Sequence, residues 1–178
     1  AVLSAAVSRY GRLQILVNNA GILISKGIED TTEEEWDRIM AVNAKGVFLG
    51  TKHAIPEMRK AGGGSIINIS SVAGLVGSQE SSAYNASKGA VLQLTRSLAL
   101  EWAPYNININ AIGPANFPTR MNAPLHQEGG ALEQTLSRIP LGRLGDLRHV
   151  GLLAVYLACE ASSYMTGQSI YIDGGVLM

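Results

Sequence analysis

Gly62-Gly63-Gly64-Ser65-Ile66-Ile67-Asn68-Ile69-Ser70-Ser71 is the stretch on which the fold turns. Residues 65–70 read as a short strand between a glycine breaker and a pair of serines. Helical patterns flank it on both sides. Upstream, Thr32 with Glu35 three positions on makes a capping box. From there Trp36, Ile39, Val42, Val47 and Phe48 carry one helix to about Lys60. Downstream, a long helix is expected over about 83–102, with Pro104 just beyond it. Helix, strand and helix in that order point to an α/β domain with a parallel sheet.

The alternation continues outward. Residues 1–10 look like an amphipathic helix ended by Gly11. Residues 13–17 form a short apolar strand, stopped by Asn18-Asn19-Ala20-Gly21. Residues 106–112 make a third strand, Asp146 opens a helix to about Glu160, and residues 169–172 form the last strand. Four mostly parallel strands with three helical crossovers are expected, each crossover right-handed, with helices on both faces. Such a doubly wound sheet binds ligands beyond the carboxyl ends of its strands. Residues 18–21, 70–71 and 114–119 are therefore the first places to look for chemistry.

Composition narrows the function. The 178 residues suit a single domain over 1–178, and with 47% apolar and 16% charged residues a sizeable core is expected. Fourteen basic and fourteen acidic residues balance, which gives no electrostatic case for nucleic acid or an anionic membrane. No apolar run approaches the roughly 18 residues of a membrane span. No basic region precedes the apolar residues at the start, so no signal peptide is read. Cys159 is the only cysteine, which excludes an intramolecular disulfide; within Leu-Leu-Ala-Val-Tyr-Leu-Ala-Cys it is expected to pack. A reducing, cytoplasmic compartment fits. His53, His126 and His149 are scattered and read as surface or packing residues, and no metal-ligand cluster is seen.

The chemistry centres on Tyr84-Asn85-Ala86-Ser87-Lys88. Positions i and i+4 share a helix face, so the phenol and the ammonium point the same way. A free tyrosine has a pKa near 10, and a nearby positive charge favours its ionised form. The pair suits proton transfer to or from an alcohol or carbonyl oxygen. Taken alone, an ordinary helix-surface pair explains it equally well. Ser71 stands thirteen residues before Tyr84, at the end of a strand, where its hydroxyl can hydrogen-bond a substrate oxygen. Without Tyr84 it would read as a turn serine.

Taken together, these segments resemble the short-chain dehydrogenase/reductase family. The likeness is carried by Asn18-Asn19-Ala20-Gly21, by Ile67-Asn-Ile-Ser-Ser-Val-Ala-Gly74, and by Tyr84 with Lys88. Ile139-Pro-Leu-Gly-Arg143 and Thr166-Gly-Gln-Ser-Ile-Tyr-Ile-Asp-Gly-Gly175 complete it. The resemblance implies a partial Rossmann fold and an NAD- or NADP-dependent oxidoreductase that interconverts a secondary alcohol and a ketone. It makes Tyr84 the acid/base, and Lys88 the group that lowers its pKa and holds the nicotinamide ribose. It gives Ser71 the reacting oxygen, and Asn43 a water in the proton relay. Asn19, Ala20 and Gly21 would contact the cofactor ribose and pyrophosphate side. Pro114, Phe117 and Thr119 would cradle the nicotinamide. The family has Pro-Gly where this chain has Pro114-Ala115, so a positive φ at Ala115 would impose strain. A small-molecule partner and a homodimer or homotetramer are implied, and the lid over about 118–139 would shape the pocket.

The family's Gly-rich turn, between a first strand and a first helix, is not found. Gly62-Gly63-Gly64 follows a helix instead. The chain therefore reads as the C-terminal part of such an enzyme, with weakened cofactor affinity. The strand at 13–17 becomes an exposed apolar edge. A truncated, non-catalytic relative acting as an interaction module stays open as a second reading, against which the joint presence of Asn43, Ser71, Tyr84 and Lys88 speaks.

Overall fold

The capping box at Thr32 forms as its sequence dictates. The Glu35 amide donates to Thr32 Oγ1 (3.2 Å), and Glu35 Oε2 accepts from the Thr32 amide (3.1 Å). In the computed structural model, which describes residues 2–121 and 130–178, helix α1 (Val2–Tyr10) comes first and strand β1 (Ile15–Asn18) follows. The capped helix α2 (Glu33–Met40) then widens into a π-helical turn (Ala41–Lys45) before helix α3 (Gly46–Lys60). One unbroken helix to Lys60 was the expectation. The wide turn falls on Asn43, whose side chain is drawn inside and fully buried, and such turns recur at functional positions.

Strand β2 (Gly64–Ile69) leads through a 3₁₀ turn (Val72–Gly74) into helix α4 (Ser82–Trp102). Strand β3 (Ile107–Pro114) runs two residues past its expected end. Helix α5 (Gly130–Ser137) comes between β3 and the next helix. Helix α6 (Leu147–Leu157) is capped by Asp146, whose carboxylate accepts from the Arg148 amide, and it ends before Glu160. Strand β4 (Ser169–Ile172) has the expected bounds.

The sheet order is β1-β2-β3-β4 and every pair is parallel. Strand alternation divides the core in two. Ile66, Ile107 and Ile109 face α3 and α4 through Ala54, Ile55, Met58 and Ala99. Ile67 and Ile112 face α6 through Leu157, with Val150, Leu153 and Ala154 beside it. Each fully buried isoleucine contributes about 1.5–3 kcal/mol. This placement corrects one expectation. The chain steps the same way across the sheet three times, but α3 and α4 lie on one face and α6 on the other. The β3-to-β4 crossover therefore has the opposite hand to the two before it, and not all three are right-handed.

Asparagines cross-link the strands. Asn18 Nδ2 donates to Asn68 Oδ1 (2.8 Å), and Asn68 Nδ2 donates to Thr95 Oγ1 on α4 (2.9 Å). Asn110 donates to the Met165 carbonyl and accepts from the Gln168 amide ahead of β4. These groups are matched, as buried polar groups must be; they tie β1 to β2, β2 to α4, and β3 to the segment ahead of β4.

Cys159 corrects a second expectation: it is exposed, not packed. Only the stripe Val150, Leu153, Ala154, Leu157 and Ala158 of α6 meets the sheet. Leu152, Val155 and Tyr156 lie on the other side with the thiol and are exposed. His53 and His149 are exposed, while His126 lies outside the described residues. At the sheet edge, Ile15 and Val17 of β1 are exposed. No helix among the described residues is long and apolar enough to cross a membrane.

Candidate active site

The carboxyl ends of β1, β2 and β3 bring three separate segments together. Residues 19–21 follow β1, Ser70 and Ser71 follow β2, and Ala115 with Phe117 follows β3. The first two turns of α4 add Tyr84 and Lys88. An open cleft of about 320 Å³ is at the opposite ends of the strands, lined by Gln14, Gly63, Asn106 and Ser163. It holds none of the predicted site residues.

Lys88 is 4% exposed, and burial lowers its pKa to about 8. Its Nζ donates to the Ile69 carbonyl at 2.9 Å and lies 5.7 Å from the centre of the Tyr84 ring. An ammonium has three donors, so two remain for a ligand. The Tyr84 phenol is held above its ordinary pKa by burial, which the Ser71 hydroxyl partly offsets. The expected lowering by Lys88 is not the governing effect in this geometry. The ammonium is turned toward Ile69, and desolvation of the phenolate outweighs it.

Ser71 caps the 3₁₀ turn. Its Oγ accepts from the Ala73 amide (3.2 Å) and makes a long contact to the Pro114 carbonyl (3.4 Å). Ser70 points into the protein and donates to the Lys88 carbonyl at 3.0 Å. Asn43 is matched on every side: Oδ1 accepts from the Ile22 amide (2.8 Å), and Nδ2 donates to the Ile22 carbonyl (2.9 Å) and to Ser87 Oγ (3.0 Å). Its side chain thus braces the turn after β1. Asn19 and Ala20 are exposed beside Gly21. A Cβ on Gly21 would lie 3.5 Å from both Asn43 Oδ1 and Lys88 Nζ, so Gly21 sits directly beside the ammonium.

Ala115 has no positive φ, so the substitution for glycine imposes no backbone strain. Its amide donates to the Ile172 carbonyl. Phe117 is buried, with Gly145 packed on its ring, and Thr119 is exposed. Among the described residues, no three His, Cys, Asp or Glu side chains converge on a metal-sized site.

Ser70, Gly74 and Ser87 complete the arrangement; they lie within the quoted segments, but their roles escape a motif reading, because they act on backbone or through other side chains. Gly74 sits against α4 so closely that a Cβ would be 2.8 Å from the Lys88 carbonyl carbon and oxygen. Backbone cannot yield there. Gly74→Ala should therefore push the Ser71 turn off α4, lowering stability by about 1–3 kcal/mol and turnover by about tenfold or more. Gly89→Ala is the control, since its Cβ meets the Gly74 carbonyl oxygen at an ordinary 3.5 Å. It should stabilise α4 by about 0.5–1 kcal/mol. Thermal melts and steady-state rates of both variants check this contrast.

A parallel α/β sheet thus gathers a serine, a tyrosine and a buried lysine at its carboxyl edge. Comparison with known proteins gives it a family. The family profile described as Enoyl-(Acyl carrier protein) reductase matches residues 1–177. Trans-4-hydroxycyclohexanecarboxylate dehydrogenase of Sinomonas cyclohexanicum is 45% identical, over 98% of this chain and 64% of its own length. The 3-oxoacyl-acyl-carrier-protein reductase of Thermotoga maritima is 44% identical, over 99% of this chain and 71% of its own. The crystal structure of a gluconate 5-dehydrogenase from Burkholderia cenocepacia, in complex with NADP and tartrate, superposes with a TM-score of 0.93 at 35% identity. That match covers 98% of this chain and 69% of the other. The chain belongs to the short-chain dehydrogenase/reductase family. It spans about two thirds of the length of these relatives.

Proposed function

We propose that this chain carries the proton-transfer machinery of an NAD- or NADP-dependent oxidoreductase acting on a secondary alcohol or its ketone. One observation carries the reading: among the described residues the buried Lys88 ammonium bonds only the Ile69 carbonyl, which leaves two donors beside the Tyr84 ring and Gly21. A ribose diol fits that donor set, so the residues present suit a nicotinamide cofactor. When bound, the cofactor supplies or accepts the hydride.

The chain's own residues do the rest. Lys88 holds the ribose hydroxyls, and the turn at Asn19, Ala20 and Gly21 contacts the sugar and pyrophosphate side. Pro114, Phe117 and Thr119 border the nicotinamide. Ser71 Oγ donates a hydrogen bond to the substrate oxygen. Tyr84, held neutral by its raised pKa, gives its proton to that oxygen as the carbonyl carbon is reduced. In the reverse direction the phenolate takes the proton back. Asn43 keeps the turn after β1 in place beside Lys88 and the relay water.

The relatives' names include a hydroxycyclohexanecarboxylate, a 3-oxoacyl-acyl-carrier-protein and gluconate. A hydroxyl or keto carbon is the feature common to these classes, and it is the one the site addresses. A single domain over 1–178, a homodimer or homotetramer and a cytoplasmic setting belong to the same proposal. The exposed Phe48 and Leu49 of α3 and Leu100 of α4 support self-association, and the free Cys159 suits a reducing compartment.

Calorimetric titration of NADH and of NADPH into the full-length protein tests the cofactor assignment. Saturable binding of one or both is expected, weakened by at least about tenfold in Lys88→Met. Absence of binding by either nucleotide would remove the oxidoreductase reading.

A further inference from the structure

Ser87 stands beside Lys88 in sequence, but its hydroxyl faces the protein interior and is fully buried. Its Oγ donates to the Tyr84 carbonyl at 2.7 Å and accepts from Asn43 Nδ2 at 3.0 Å. Asn43 in turn grips the amide and carbonyl of Ile22, the residue after Gly21. One hydroxyl therefore joins the first turn of α4, the π turn at Ala41–Lys45 and the turn after β1.

The chemistry of the group makes the link specific. A hydroxyl has one proton to give, and here it goes to the Tyr84 carbonyl, leaving lone pairs for Asn43. The same carbonyl accepts the Lys88 amide in a regular α-helix. The peptide group of the residue that moves the proton thus carries two hydrogen bonds, one of them leading to the cofactor-side turn. Space-filling alone does not call for serine, since alanine is the better helix former and brings no buried polar atom.

We propose that Ser87 is a positioning residue: it locks the Tyr84–Lys88 turn to the π turn, so that phenol, ammonium and the Gly21 turn keep one relative placement. The proposal rests on the functional reading above, and it assigns Ser87 no contact with substrate or cofactor. Misplacement of a catalytic group by about 1 Å is enough to reduce rates up to a hundredfold.

The test is steady-state kinetics of the full-length protein with a secondary alcohol that the wild type oxidises. Ser87→Ala should lower kcat about tenfold while KM for the alcohol stays unchanged. Ser87→Cys, nearly the same size but a weak hydrogen-bonding group, should show the same split and covers the case in which the alanine variant does not fold. Since Ser87 acts through Asn43, the double variant Asn43→Ala/Ser87→Ala should be no slower than Asn43→Ala alone. A Ser87→Ala protein that melts lower yet keeps the wild-type kcat overturns the proposal, as does full additivity in the double variant. Either result leaves the functional reading standing. A wild type that turns over no alcohol or ketone would sink both.

Discussion

Tyr84→Phe is expected to lower turnover by about 10²–10⁴-fold, the usual contribution of a positioned acid/base. The substitution removes one oxygen and leaves the ring that packs beside Lys88. The Asn43 bridge, the Ser70 bond and the Lys88 bond to Ile69 involve no phenolic oxygen. The Ser71 hydroxyl loses its contact with the phenol but keeps those to the Ala73 amide and the Pro114 carbonyl, so stability should fall by no more than about 1 kcal/mol. Cofactor affinity should also hold. Rates, melts and nucleotide titrations on one preparation separate these effects. A variant that binds nucleotide, melts normally and still turns over at the wild-type rate would remove Tyr84 from the chemistry.

The second large effect has two opposite signs. Lys88→Met should abolish most turnover and yet stabilise the cofactor-free protein. The ammonium is buried with one carbonyl partner, and burial lowers its pKa from 10.5 to about 8. The folded protein thus binds this proton more weakly than the unfolded chain does. At pH 7 both states are charged, and the folded state carries a penalty on the order of 3 kcal/mol. The penalty fades as pH rises from about 8 to 10.5, where the folded lysine loses its charge first. A methionine of similar length carries no such penalty, at the loss of about 1 kcal/mol for the Ile69 hydrogen bond. The variant's melting temperature should exceed that of the wild type at pH 7, with the gap closing by about pH 10. Saturating nucleotide should narrow the gap, because only the wild type presents the ribose donors. A lower melting temperature at every pH would mean that the buried charge is better compensated than this geometry shows.

How far the sequence discloses these residues depends on the kind of signal each one leaves. The four strands and the helices between them other than α5 follow from apolar runs and breakers, and the Thr32 cap from a four-residue pattern. The π turn has no such signature, since Ala41–Lys45 keeps the composition of the helix around it. Only the burial of Asn43 against Ile22 reveals it. Cys159 was misplaced because Leu-Leu-Ala-Val-Tyr-Leu-Ala-Cys is apolar all round, and which stripe meets the sheet is settled by packing. The hand of the last crossover depends on the face that α6 chooses, which no local pattern encodes.

The site shows the same division. Tyr84 and Lys88 declare themselves by helical spacing, and Ser71 by its place at a strand end. Ser70 and Gly74 act on the Lys88 backbone, and Ser87 on that of Tyr84. A backbone partner leaves no mark at a second position in the sequence. Neither does the turning of Lys88 Nζ toward Ile69, which together with burial leaves Tyr84 a neutral acid at rest.

The most direct measurement follows the near-ultraviolet absorbance of reduced nicotinamide. The full-length protein, wild type and Tyr84→Phe, is given NAD or NADP with a panel of secondary alcohols, and NADH or NADPH with the matching ketones. The account predicts turnover of at least one pair by the wild type and its loss in the Tyr84→Phe variant, with nucleotide binding retained. Equal rates for the two proteins, or no turnover of any pair by a wild type that binds nucleotide, would contradict it.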